Sequence, residues 1–188
     1  MSEDFSSCVI GLDRDGVINR DLGTYCYRVK DFEPIDGSIE AIASLRRKGF
    51  KIVILTDQGG IEKGIYTQSQ VDIVHAYLLE LLKQVGCDSI DGVYNSTSTR
   101  PDDPLAKPNI GMFMLAEKEI NHIKFNQGYY VGDKIRDLEA AVTMGARPVL
   151  VRTGYGSATE KALAQPMHDD LKCKTIVFDN LASFVKTL

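Results

Sequence analysis

The most constraining feature of this sequence is where its apolar runs stop. Cys8 to Leu12, Lys51 to Thr56, Gly128 to Val131 and Pro148 to Arg152 are short and mostly apolar, and each breaks off in small polar or acidic residues. Runs without polar alternation read as strands covered on both faces. Ile90 to Tyr94 and Thr175 to Phe178 are shorter runs of the same kind, the second an expected edge strand. Between them lie amphipathic stretches at Ser38 to Lys48, Thr67 or Ser69 to Val85, Ile110 to Asn121, Ile135 to Met144 and Leu181 to Leu188. Two of these are closed by Gly49 and Gly145, the residue type that ends helices in the left-handed conformation. Strands alternating with helices predict an α/β fold: a three-layer α/β/α, doubly wound, mostly parallel sheet. Ligands of such sheets bind beyond the carboxyl ends of the strands. Asp13 and Asp15, Thr56 and Asp57, Asp133, and Lys107 just ahead of a helix all fall at that edge, so one rim gathers them.

At 188 residues the chain is expected to form one domain over 1–188. A net charge of −4 gives no electrostatic footprint for nucleic acid or for an anionic membrane surface. No apolar run approaches the roughly 18 residues of a membrane span, and Met1 to Ser7 is polar and acidic rather than leader-like, so a cytoplasmic protein is expected. Cys8, Cys26, Cys87 and Cys173 are scattered with no C-x-x-C pair, as in reduced structural thiols.

Asp13, Asp15 and Asp133 packed on one rim would repel one another unless a cation sat among them. Oxygen donors without His or Cys favour a hard ion, and Mg²⁺ keeps waters and a phosphate oxygen beside a few carboxylates. Lys107 adds a point charge and Thr56 a hydroxyl, groups suited to the equatorial oxygens of a phosphoryl group in transfer. Asp13, fixed at the end of a strand, is the natural nucleophile for an aspartyl-phosphate. Asp15, two residues on, would protonate the leaving oxygen and then take a proton from water.

In order along the chain, Asp13-x-Asp15-Gly-Val, Thr56 after an apolar strand, Lys107 and Gly132-Asp133-x-x-x-Asp137 resemble the four motifs of haloacid dehalogenase-like phosphatases. Leu-Asp-Arg-Asp-Gly-Val-Ile-Asn, Thr-Asp-Gln-x-Gly-Ile, Lys-Pro-x-x-Gly-Met, Val-Gly-Asp-Lys and Val-Arg-Thr-Gly are similar to the subfamily of heptose 1,7-bisphosphate 7-phosphatases and histidinol-phosphate phosphatases. The resemblance implies Asp13 as nucleophile, Asp15 as general acid/base, and Thr56 with Lys107 holding the phosphoryl group. It implies Mg²⁺ on Asp13, Asp15 (through its carbonyl) and Asp133, with Asp21, Gly23, Gln58 and Lys134 against substrate. It also suggests a monomer acting on a small-molecule phosphate ester. Only 42 residues separate Asp13 from Thr56, and 50 separate Thr56 from Lys107. Neither interval has room for a folded cap, so a capless site roofed by loops Arg20–Pro34 and Asn95–Ala106 is expected.

The sequence departs from that subfamily at three places. Asn95, Thr97, Asp103 and Leu105 stand where a zinc loop would have its ligands, so no structural zinc is expected. Ala106 replaces an Arg that recognises substrate, a loss that Arg100 would make good if it reached in from the loop. Asp57 replaces an Asn, and its carboxylate would either face the substrate, holding a cation or amine, or turn to solvent. The expected reaction is Mg²⁺-dependent phosphomonoester hydrolysis on a heptose bisphosphate. The alternatives are a phosphatase for histidinol phosphate or another small metabolite, and a binding protein on a retired phosphatase fold.

Overall fold

The computed structural model describes residues 8–188, so the reading of Met1 to Ser7 lies outside the described residues. Six strands form one parallel sheet: β1 (Cys8–Leu12), β2 (Lys51–Asp57), β3 (Gly92–Ser96), β4 (Lys124–Gly132), β5 (Arg147–Val151) and β6 (Ile176–Phe178). Their spatial order is β3-β2-β1-β4-β5-β6, every neighbouring pair parallel. The order reverses at β1 and β4, which places a crevice beyond the ends of those two strands. Asp13 follows the first and Asp133 the second.

Side chains that alternate along each strand supply two cores. Ile10 and Leu12 of β1 and Ile52 and Ile54 of β2 pack with residues of α1 (Ser38–Arg47), α2 (Gln68–Gln84) and α7 (Leu181–Val185). Val9, Val53, Leu55 and Tyr130 face α3 (Gly111–Glu119) and α4 (Ile135–Met144) on the opposite side. Leu150 meets Leu138 of α4 and Leu163 of α5 (Gly156–Leu163). Both faces of the sheet are thus covered, as the unbroken apolar runs require. The segment between β1 and α1 carries one 3-10 turn (Val29–Asp31), and the segment between β2 and α2 forms turns. Neither holds a folded cap.

Local chemistry accounts for the element ends. Thr67 caps α2 by accepting from Gln70 N–H while the Gln70 side chain takes the Thr67 N–H, a capping box. Gly145 closes α4 in the left-handed region, with φ of 79°. Two expectations are corrected. The third strand begins at Gly92 rather than Ile90, because the Asp91 carboxylate takes the Ile52 N–H together with Arg46 and Lys51 and leaves the ladder to the residues after it. Residues 156–174 contain α5 and α6 (Asp169–Lys174), both absent from the sequence reading, which assigned no element between Arg152 and Thr175.

The first turn of α4 lies hard against the end of β4: a Cβ on Gly132 would overlap the Cβ of Asp137. Gly132→Ala should lower unfolding free energy by about 1–3 kcal/mol, read in a urea titration as a lower midpoint at unchanged slope.

Candidate active site

Asp13 stands at the switch point, its N–H donating to Val131 O of β4 at 2.9 Å. Its carboxylate is almost fully buried, and both of its bonds fall on Oδ1: from the Arg14 N–H at 2.8 Å and the Lys107 ammonium at 3.0 Å. Burial pushes this carboxyl up, but Lys107 and Lys134 outweigh it and hold Asp13 below the ordinary range. Lys107 is itself buried, with its ammonium 2.7 Å from Asp137, 3.1 Å from Leu55 O and 2.9 Å from the Tyr130 hydroxyl. Burial pulls Lys107 down, yet Asp13 and Asp137 together keep it well above the usual lysine value.

Asp133 lies on the far side of Asp13. Its backbone carbonyl accepts from the Thr159 hydroxyl at 2.7 Å, and Oδ2 accepts from Tyr155 N–H at 2.8 Å. Oδ1 is buried and accepts no hydrogen bond, with the Lys134 ammonium 3.5 Å away. Burial, reinforced by Asp137 and Asp13, pushes this carboxyl up to about 7 against the pull of Lys134. Gly16 has φ of 89°, and a Cβ there would overlap the Asp133 carboxylate, so the turn after Asp15 needs glycine. Carboxylate oxygens of Asp13, Asp133 and Asp137 all lie within 4.8 Å of one another, an oxygen-only donor set of the kind a hard cation takes.

The Asp15 carboxylate points elsewhere. It accepts from Arg14 at 2.9 Å, Asn19 Nδ2 at 2.8 Å and Gln58 Nε2 at 3.1 Å. Arg14, read in the sequence only as the spacer between two acids, is fully buried and also donates to Cys26 O. Its Nη1 lies 3.2 Å from His75 Nε2, and burial together with Arg14 pulls that imidazole down to about 4, so it is a neutral partner. Gln58 Nε2 also donates to Thr56 Oγ1 at 3.0 Å, while Gln58 Oε1 accepts from the Tyr66 hydroxyl at 2.9 Å. Tyr27 stacks on Tyr66 at 5.1 Å and Tyr25 meets it edge-on at 5.4 Å. The loop aromatics therefore brace Gln58, and through it Asp15 and Thr56.

A cleft of about 350 Å³ opens over these groups, lined by Asp13, Asp15, Thr56, Gln58, Asp21, Gly23, Asp57, Lys134 and Arg136 among others. Asp21 pairs with Lys134 at 3.3 Å and accepts the Gly23 N–H at 2.9 Å. One pair of alternatives narrows and one expectation changes. Asp57 does not turn to solvent: its side chain is 1% exposed, Oδ1 accepts the Lys107 N–H at 3.2 Å, and Oδ2 lies 3.5 Å from Arg136. Arg100 does not reach in. It is 62% exposed, pairs with Glu62 at 3.2 Å and Asp102 at 3.3 Å, and is absent from the cleft wall, because those carboxylates hold it on the outer side of its loop. At the positions of the zinc ligands, Asn95 exchanges hydrogen bonds with Gln68, and Asp103 accepts the Leu105 N–H. Cys8, Cys26, Cys87 and Cys173 are all free. Sequence reasoning passed over Arg14, Tyr66 and Arg136. A charged residue inside the acid motif, and another three residues past Asp133 at a helix start, were the available signals.

The chain is similar to known proteins. A family model described as polynucleotide kinase 3 phosphatase matches residues 5–146. The chain is 36% identical over 178 residues to D-glycero-beta-D-manno-heptose-1,7-bisphosphate 7-phosphatase of Pseudomonas putida, covering 94% of this chain and 97% of that one. The crystal structure of D,D-heptose 1,7-bisphosphate phosphatase from B. bronchiseptica, complexed with magnesium and phosphate, superposes with a TM-score of 0.84 at 29% identity, covering 96% of this chain and 97% of that one. The crystal structure of a putative HAD-like phosphatase from Mesorhizobium loti superposes with a TM-score of 0.66 at 31% identity, covering 77% of this chain and 72% of that one. With these relatives the chain belongs to the phosphatases of the haloacid dehalogenase-like superfamily, in the family of the heptose-1,7-bisphosphate 7-phosphatases.

Proposed function

We propose that this chain removes the 7-phosphate of D-glycero-D-manno-heptose 1,7-bisphosphate through a phosphoaspartate on Asp13. The observation that carries the chemistry is the carboxylate of Asp13. It is buried at the end of β1, and because Lys107 and the Arg14 N–H both bind Oδ1, Oδ2 is left free to attack phosphorus. The substrate is supported by the names of the Pseudomonas and B. bronchiseptica relatives. Ala106 and Asp57 favour a second reading, a phosphatase for another small metabolite such as histidinol phosphate.

In the first step the Asp13 Oδ2–P bond forms and the ester P–O bond breaks, with Asp15 giving its proton to the leaving oxygen. In the second step Asp15 takes a proton from water, the water oxygen bonds to phosphorus, and the Asp13–P bond breaks to release phosphate. As found, Asp15 offers lone pairs to Arg14, Asn19 and Gln58, the arrangement of the base half of this cycle. Lys107 holds its charge behind Asp13, and Thr56 lies in the cleft wall with Asp13. The unpartnered Asp133 Oδ1 and the clustered oxygens of Asp13 and Asp133 fit Mg²⁺, with the Asp15 carbonyl as a third donor. Bound there, the ion neutralises charge between the carboxylates and the phosphoryl group. Asp137 is taken up by Lys107 and the Lys134 N–H, and orients rather than ligates.

Asp13→Asn should reduce phosphate release from heptose 1,7-bisphosphate to background while far-ultraviolet circular dichroism stays that of the parent; retained turnover would exclude the phosphoaspartate. A substrate panel in Mg²⁺, with both heptose anomers, histidinol phosphate, fructose 1,6-bisphosphate and an aryl phosphate, tests the substrate. Heptose turnover well above the rest supports the first reading, and histidinol phosphate leading supports the second.

Asp133 gives a pH prediction. Its folded value of about 7 lies above the unfolded value of about 3.9, so the neutral acid stabilises the fold at low pH. That contribution is lost as pH rises through about 7. Asp57, pushed up to about 6 by burial, acts in the same direction. Without divalent ions Tm should fall between pH 5 and 8, and the rise in Tm on adding Mg²⁺ should grow over that range; a Mg²⁺ shift independent of pH would remove Asp133 from the ion site.

Tyr66→Phe should lower kcat by about tenfold with KM little changed, because Gln58 then loses the bond that turns its amide toward Asp15. Equal loss from both parameters would point to a collapsed loop instead.

A further inference from the structure

Arg136 is the second residue of α4 and lines the cleft beside Asp57. Its pairing there is incomplete. Nη1 lies 3.5 Å from Asp57 Oδ2, its buried Nε makes no hydrogen bond, and Asp57 Oδ2 accepts none either. A bridge built only to neutralise a carboxylate closes as Arg152 does on Glu160, with 2.7 Å from each of two guanidinium nitrogens. Asp57 also fixes where this guanidinium sits. Oδ1 of Asp57 bonds the Lys107 N–H, which ties Asp57 to the residue that follows Ala106. Two of the departures from the subfamily, Ala106 and Asp57, therefore lie side by side. Position 106 supplies no cation, whereas α4 puts one in the cleft wall with the acid at position 57 as its counter-charge.

We infer that Arg136, held on Asp57, is the specificity-determining cation for a second anionic group on the substrate, the phosphate that is not hydrolysed. The inference rests on the sugar-phosphate reading above but not on heptose as the sugar. A planar guanidinium in a cleft wall binds a phosphate by two parallel N–H bonds, which the lone ammonium of Lys134, already on Asp21, does not reproduce.

The test is the ratio of kcat/KM for a bisphosphate to that for its monophosphate, using heptose 1,7-bisphosphate against heptose 7-phosphate and fructose 1,6-bisphosphate against fructose 6-phosphate in Mg²⁺. Because it is a ratio, loss of folded protein cancels. In Arg136→Gln it should fall at least about tenfold, carried by KM, and Arg136→Lys should recover part of it. The relocated set Asp57→Asn, Ala106→Arg, Arg136→Gln should restore the preference. A ratio unchanged in Arg136→Gln, or a parent without preference for either bisphosphate, overturns the inference even if heptose is the best sugar. Poor heptose turnover with a fructose preference that collapses in Arg136→Gln overturns the heptose reading and supports this one.

Discussion

The site depends on one buried ammonium. Lys107 Nζ meets Asp13 after β1, Leu55 O of β2, Tyr130 of β4 and Asp137 of α4, so four elements converge on one charge. Taking an ammonium out of water costs several kcal/mol unless its partners are close and complete, and here each acceptor is 2.7–3.1 Å away. The dependence is mutual. Asp13 and Asp137 are buried carboxylates that could not sit together at the end of a parallel sheet without the lysine between them. Asp13 is thus positioned by the same ion set that holds α4 against β4.

That set leaves a deficit in a particular place. Lys107 is spent on Asp13 and Asp137, Arg136 faces Asp57, and Lys134 is shared between Asp21 and Asp133. Arg14 belongs to Asp15. Asp133, like Asp57, is left short, with a buried oxygen that accepts no hydrogen bond, and its carboxyl is pushed up to about 7. The backbone there is not loose, since Thr159 and Tyr155 tie Asp133 down and Gly16 crowds its other side. A rigid, under-neutralised carboxylate beside Asp13 suits an added cation.

Much of this was legible because acids cannot continue a buried strand. Asp13 and Asp133 had to mark strand ends, and the alternation of elements put both on one edge; the observed order with β1 beside β4 then makes them neighbours. Thr67, one of the two candidate caps read in the sequence, is the N-cap of α2. What escaped had physical reasons. α5 and α6 are short and lack a side-chain N-cap, so no periodic or capping signal marks them. Arg14 was invisible because exposed arginine is the ordinary case, and only the tertiary fold shows its guanidinium sealed among Asp15, Cys26 O and His75. Arg100 misled in the opposite sense. Its place in the loop suggested the cleft, but Glu62, which also accepts from Ser98, pulls it outward.

The loop that carries Arg100 shows why reaction and recognition separate in this molecule. It is fastened by small polar groups: the Ser96 hydroxyl donates to Ser98 O, Ser98 Oγ donates to Glu62, and Asn109 Nδ2 donates to the carbonyls of Pro101 and Asp103. These bonds consume the polar atoms that a substrate-facing loop would present, and they leave Thr99 as the loop's contribution to the cleft wall. The other walls come from Asp21 and Gly23 of the segment after β1 and from Lys134 and Arg136 at the start of α4. The start of α4 is the stiffer of the two, because Asp137 in its first turn is anchored on Lys107. Since Lys107 also holds Asp13, the proposed specificity group on α4 would share its anchor with the proposed nucleophile, and the sheet rather than a loop would set the distance between the reacting phosphoryl group and a second anion.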